Sequence, residues 1–171
     1  MKLLPEKIER YTEQYSTKES DVLAELNRET HLNIMIPQML SGHIQGNFLK
    51  MMSHMTQANR ILEVGTFTGY SAICLAEGMT KDGILHTIDI NEELEYMVSK
   101  YIKKSGFENK IKQHIGTALD IIPTLDETYD LVFLDADKIN YANYYDLVFD
   151  QVRPGGFIIA DNVLWSGKVV E

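Results

Sequence analysis

Acid and amide side chains close apolar runs at three well-separated points of the chain. ILHTIDI (84–90) carries Asp89, LVFLDADK (131–138) carries Asp135 with Lys138 three residues on, and FIIADN (157–162) ends on Asp161 and Asn162. A run that only built core would leave through a Gly, Asn or Ser turn, without two aspartates and a lysine crowded at one point. Asp135, Asp161 and Asn162 offer oxygen donors and no nitrogen or sulfur, a set that suits Mg²⁺, Mn²⁺ or Ca²⁺ better than zinc. The five histidines, at 31, 43, 54, 86 and 114, show no paired ligand spacing. A fourth apolar run leaves through EVGTFTGYS (Glu63–Ser71), with Gly65 and Gly69 four apart. A strand, glycine turn and helix in succession aim backbone N–H groups and a positive helix end at an anionic group. An acid at the end of the next strand, here Asp89, can accept from both hydroxyls of a ribose. The third glycine of G-x-G-x-x-G is absent, and Tyr70 and Ser71 occupy its region, which disfavours a pyrophosphate. The pattern therefore points to a nucleoside cofactor without a pyrophosphate, S-adenosylmethionine foremost.

The elements that must position these groups alternate along the chain. Strands are expected at 61–64, 84–90, 110–115, 129–134 and 157–160, the last entered through a Pro154-Gly155-Gly156 turn. Between them, apolar residues at helical spacing predict helices over 70–79, from Asn91 to about 105, over 118–125 with a break at Pro123, and over 141–152. Asn91 is a fitting cap, with Glu92 and Glu93 in the first turn. Strands alternating with amphipathic helices predict an α/β fold, a doubly wound, mostly parallel sheet covered on both faces. In such sheets ligands bind beyond the carboxyl ends of the strands, where strand order reverses. All four chemical groups fall at such ends. Residues 1–57 differ: they are helix-like, charged through Asn27 and methionine-rich from Met35 to Met55. We expect one structural domain, with 1–57 as a helical extension acting as substrate lid or dimer contact and 58–171 as the cofactor- and metal-binding core.

Composition narrows the function class. The 171 residues suit one domain, and a hydrophobic content of 44% is ordinary for a soluble globule. No run of eighteen apolar residues is present, and the N-terminal stretch lacks an apolar segment of signal-peptide length, so a cytoplasmic protein is expected. Cys74 is the lone cysteine, which suits a reducing compartment. The net charge of −9 argues against a large nucleic-acid footprint without forbidding a local basic face at Lys100, Lys103, Lys104, Lys110 and Lys112.

The stretches SGHIQGNFL, ILEVGTFTGYSA, HTIDIN, GTALDIIP, DLVFLDADKINY and PGGFIIADNVLWSGKVV resemble the divalent-metal-dependent O-methyltransferases, the group of caffeoyl-CoA and catechol O-methyltransferases and their bacterial relatives. The resemblance covers most of the chain from Ser41 to Val170. It implies a Rossmann-like fold that binds S-adenosylmethionine and Mg²⁺ and methylates one hydroxyl of a vicinal dihydroxy aromatic molecule, in a homodimer. By the same resemblance Glu63, Gly65, Thr66 and Ser71, with Ser41, would hold the methionine end of the cofactor. Asp89 would hold its ribose, Ala118 would lie against its adenine, and Asp135 would also stand near its ammonium. Asp135, Asp161 and Asn162 would be the metal ligands and Lys138 the general base. Ser166 would contact substrate, where plant caffeoyl-CoA enzymes usually carry Asn. Family members continue past the WSG segment with strands six and seven of the sheet, so those strands are expected to be missing here. Rival readings are a tRNA hydroxyuridine methyltransferase, a dinucleotide-dependent dehydrogenase and a cofactor-binding module without activity.

Overall fold

The computed structural model describes residues 5–170. Five strands form one sheet: β1 (Arg60–Val64), β2 (Ile84–Asp89), β3 (Ile111–Ile115), β4 (Tyr129–Leu134) and β5 (Val152–Ala160). Their order is β3-β2-β1-β4-β5 and every pairing is parallel. β1 therefore lies at the reversal of strand order, with β2 on one side and β4 on the other. The sequence anticipates this architecture.

Side chains alternate between the faces, as the two-residue period of a strand requires. Ile61, Leu131, Phe133 and Ile159 pack into one core with Leu26, Leu49, Ile73 and Tyr101, under the helices α2 (Asp21–Asn33), α3 (Gly42–Met55), α4 (Tyr70–Gly78) and α5 (Glu95–Lys104). Leu62, Val64, Val132, Leu134 and Ile158 pack into a second core on the other face. That face is covered by α6 (Ala118–Ile121) and α7 (Tyr141–Val148). The alternation has a consequence at the strand ends. Glu63, Asp135 and Asp161 follow the phase of Ile61, Phe133 and Ile159, so all three belong to the face that carries α3 and α4.

The N-terminal helices are integral to that face. α1 (Glu6–Gln14) has no buried residue, whereas α2 is capped by Ser20 and tied to α5 through Glu29, which accepts from Lys100 Nζ and Tyr101 Oη, both at 2.6 Å. α4 is buried almost all round, between the sheet and α3. Gly78 permits this approach: a Cβ there would lie 2.3 Å from the Lys50 carbonyl oxygen on α3. In the methionine-rich stretch Leu49 is fully buried and Met52 half-buried, while Ile44, Phe48, Met51 and Met55 are exposed along the outer side of α3.

Some boundaries differ from expectation. The helix expected over 141–152 ends at Val148 in a 3-10 turn, Phe149–Gln151. β5 begins at Val152, where the sequence points to Phe157: Val152 pairs with Tyr129 and Phe157 with Leu131, so residues 153–156 form an irregularity in the strand. Gly155 takes φ +78 there, a conformation that only glycine adopts readily. The helix after β2 opens as a 3-10 turn (Glu92–Leu94), and the one expected over 118–125 passes into a 3-10 turn at Ile122–Thr124, around Pro123.

Candidate active site

A cavity of about 580 Å³ opens at the carboxyl ends of β1, β2 and β4, where strand order reverses. Its wall includes Ser41, Gly65, Thr66, Ser71, Asp89, Ala118 and Asp135, so seven groups named from sequence, spread over almost one hundred positions, border one space. Met39, Leu40, Phe67, Asn140 and Tyr144, which sequence reasoning did not name, also border it. Their signal was weak: Met39, Leu40, Phe67 and Asn140 lie in turns and loops whose direction only the folded chain fixes, and Tyr144 reads as one more apolar residue of its helix.

The glycine turn is held by specific contacts. Gly65 donates its N–H to the Ile88 carbonyl at 2.9 Å and takes φ +105. A Cβ at Gly65 would sit 2.0 Å from the Asp135 carbonyl oxygen, so the turn packs against the chain leaving β4. Gly69 takes φ +88 and precedes α4, while Thr30 on α2 bonds the Thr68 hydroxyl from behind at 3.2 Å. Asp89 accepts from the Phe67 N–H (2.7 Å) and the Asn91 N–H (2.9 Å), one on each oxygen. Each oxygen keeps a second lone pair for a ligand hydroxyl.

Glu63 is fully buried on the central strand. Its Oε2 accepts from the Thr87 hydroxyl at 2.6 Å, and Ser71 adds a further hydrogen bond, but Oε1 has no partner. Burial pushes its carboxyl up to about 8, the Ser71 and Thr87 bonds oppose this, and the charges of Asp135 and Asp89 add to it. Glu63 does not itself border the cavity, although its neighbours Val64, Gly65 and Ser71 do; its orphaned carboxylate oxygen fits a cationic donor such as an amino acid's ammonium. The ligand-free protein carries a pH signature of this. Folding raises the Glu63 pKa above its unfolded value of about 4.3, so the stabilisation is full below that pH and is lost as pH rises through the folded value. Thermal stability should fall as pH rises from about 5 to 8. Glu63→Gln, isosteric and uncharged, should flatten that fall in a melting series; parallel profiles for the two proteins would assign the slope to another group.

The acid pair forms across β4 and β5. Leu134 pairs with Ala160, so Asp135 and Asp161 are the next residues on neighbouring parallel strands. Burial raises the Asp135 pKa, the charge of Asp161 raises it further, and Lys138 opposes. Two carboxylates that repel one another through half-buried space fit a shared hard cation. Among the described residues no group of three or more His, Cys, Asp or Glu side chains converges on a metal position, and Asn162, the third ligand expected from the sequence, is exposed beside Asp161. Asn162 has φ +56 and gives its backbone N–H to Asp161 Oδ1 at 2.7 Å.

Lys138 does not border the cavity wall but stands behind it, with Nζ 3.3 Å from Asp135 Oδ1 and bonded to the Tyr141 hydroxyl. That hydroxyl also reaches the carbonyls of Leu134 (3.0 Å) and Asp161 (3.1 Å), joining the ends of β4 and β5. Burial lowers the Lys138 pKa, yet the Tyr141 bond and the Asp135 charge outweigh it, and the amine is held above its ordinary value, which opposes the general-base role expected from the sequence. Ser166 lies apart: it is exposed, has φ +56, and sits in the 3-10 segment Trp165–Val170 away from the cavity wall.

Comparison with known proteins agrees with this geometry. Residues 13–171 match the model of a family described as O-methyltransferase. Caffeoyl-CoA O-methyltransferase 2 of Populus trichocarpa is 38% identical over 154 residues, covering 86% of this chain and 61% of that protein. A catechol O-methyltransferase of Niastella koreensis is 37% identical over 131 residues, 74% of this chain and 59% of its own. The chain thus spans about three fifths of the length of these curated relatives. Among solved structures, the O-methyltransferase TomG of Streptomyces achromogenes, in complex with SAM, superposes with a TM-score of 0.91 at 33% identity, over 96% of this chain and 75% of that one. A Bacillus cereus O-methyltransferase in complex with SAH gives 0.89 at 28% identity, over 96% and 76%. A glycine turn and two strand-end aspartates, Asp89 and Asp135, around one cavity, together with a family match over nearly the whole chain, place this protein in the O-methyltransferase family.

Proposed function

We propose that the protein transfers the methyl group of S-adenosylmethionine to one hydroxyl of a vicinal dihydroxy aromatic molecule, of catechol or caffeoyl type, and depends on a divalent cation, Mg²⁺ foremost. The observation that carries this reading is the place of Asp135. It borders the cofactor cavity and also faces Asp161 in the acid pair, so a donor in the first and a cation at the second would be neighbours.

In this reading Glu63, Gly65, Thr66 and Ser71, with Ser41, hold the cofactor's methionine end, and Asp135 stands near its ammonium. Asp89 receives the ribose hydroxyls and Ala118 lies against the adenine. Asp135, Asp161 and Asn162 hold the cation, whose charge would lower the pKa of a chelating phenol from about 10 and fix its oxygen. The methyl group leaves a sulfonium readily, so the protein's main task is alignment, which contributes up to about 7–11 kcal/mol in ideal intramolecular cases. Lys138 brings positive charge to the phenolate side of the site, held there by Asp135 and Tyr141. Ser166 is assigned to substrate contact through its segment. The same reading includes a single domain in a cytoplasmic homodimer, with the exposed Ile44, Phe48, Met51 and Met55 of α3 as a candidate contact.

An RNA acceptor is disfavoured by the lysines that could have served it. Lys100 pairs with Glu29, Lys104 with Glu25, and Lys110 donates to the Thr80 carbonyl. The test is a methyl-transfer assay with labelled donor, offering catechol, a caffeoyl ester and total tRNA in parallel. Transfer to the catechol-type acceptors is expected, abolished by chelator and restored by Mg²⁺. Transfer that chelator leaves intact would remove the cation from the reading, and labelling of tRNA alone would replace the acceptor class.

A further inference from the structure

Gln45 is one turn beyond Ser41 on α3, and residues four apart share a helix face. Ser41 borders the cofactor cavity, while Gln45 Nε2 donates to Asp161 Oδ2 at 3.2 Å across a separation of 116 residues. The other oxygen, Oδ1, accepts the Asn162 N–H at 2.7 Å. Both carboxylate oxygens are therefore engaged by donors, which fixes the plane of the group and leaves one lone pair on each oxygen free. The two acids are held differently. Asp135 has a cation beside it, the Lys138 ammonium, whereas among the described residues Asp161 has no Lys, Arg or His partner. A neutral amide orients a carboxylate without cancelling its charge.

We infer that Gln45 is a positioning residue for the cation site: the N-terminal helix α3 orients Asp161 through a neutral donor and so sets the affinity of the acid pair for a divalent ion. This rests on the proposed cation role of Asp135 and Asp161. Groups that orient a metal-binding carboxylate typically change metal affinity by about 10–100-fold when removed. Alanine is the strongest helix former, so Gln45→Ala leaves α3 intact.

The experiment is calorimetric titration of Mn²⁺, confirmed by Mn²⁺ electron paramagnetic resonance, into the unaltered protein, Gln45→Ala and Asp161→Asn. S-adenosylhomocysteine affinity is measured on each as a check of the fold. The inference expects Asp161→Asn to abolish Mn²⁺ binding and Gln45→Ala to weaken it about 10–100-fold, with S-adenosylhomocysteine affinity unchanged within about twofold. If Asp161→Asn loses Mn²⁺ and Gln45→Ala binds it normally, the role of Gln45 is overturned and the cation site stands. If Gln45→Ala loses both ligands equally, its role is structural and the inference also fails. If the unaltered protein binds no Mn²⁺, or Asp161→Asn binds it undiminished, the cation site itself falls and the inference with it.

Discussion

Asp161→Ala should eliminate methyl transfer while S-adenosylhomocysteine still binds with affinity close to that of the unaltered protein. Asp161 is half-buried, and its carboxylate faces Asp135 and Gln45, but it does not border the cofactor cavity. Removing it takes away one of two carboxylates of the acid pair and relieves the repulsion on Asp135, so under the proposed function the loss is one of cation capture. A single missing carboxylate in a three-oxygen set costs far more than one orienting contact, and activity should fall by more than about 10²-fold, the upper end for an outer-shell partner. Steady-state turnover beside calorimetry with S-adenosylhomocysteine decides the matter. Cofactor affinity that falls in step with turnover would merge the two roles into one.

Gly65→Ala is expected to damage the whole domain. The added Cβ would meet the Asp135 carbonyl oxygen at 2.0 Å and its carbonyl carbon at 2.6 Å, and φ is +105. Neither neighbour is a flexible side chain that could turn away. Overpacking costs about 1–3 kcal/mol and a disfavoured backbone conformation about 1–3 more. Their sum competes with a total stability of about 5–15 kcal/mol. A drop of that size in urea-unfolding stability is expected, with S-adenosylhomocysteine binding lost in the same variant. Gly106→Ala is the control, because Gly106 also has positive φ (+76) but a Cβ there meets nothing within 4 Å. If the two variants were equally stable, backbone conformation alone would explain both and the close approach would carry no weight.

The parallel sheet was legible because its signals are local. Short strands with apolar runs such as LVFL and FIIA alternate with helices of one apolar side, and each strand end that carries chemistry is marked by Gly65, Asp89, Asp135 or Asp161 itself. Gly65, Asp89 and Asp135 meet at one cavity for the same reason, because topology places strand ends together, while Ser41, Ser71 and Ala118 reach it from the starts of helices. Contacts made by layering were not legible. Gln45 reads as an ordinary polar residue of a helix, and nothing local tells that Asp161 lies opposite it. The charge state of Glu63 depends on burial beneath α4, and that of Lys138 on a tyrosine hydroxyl that also serves two backbone carbonyls. The early start of β5 was hidden because Pro154-Gly155-Gly156 signals a turn, whereas the chain absorbs it as an irregular stretch inside the strand.

That irregular stretch governs how the outer margin of the sheet can be approached. Among the described residues β5 pairs only with β4. Pro154 has no N–H to offer, and the distortion around Gly155 breaks the ladder, two devices that discourage unwanted strand addition. Only the straight portion from Phe157 to Ala160 can receive another backbone in register. Any polypeptide that docks there would run beside the strand whose end carries Asp161, the carboxylate that Gln45 bonds from α3.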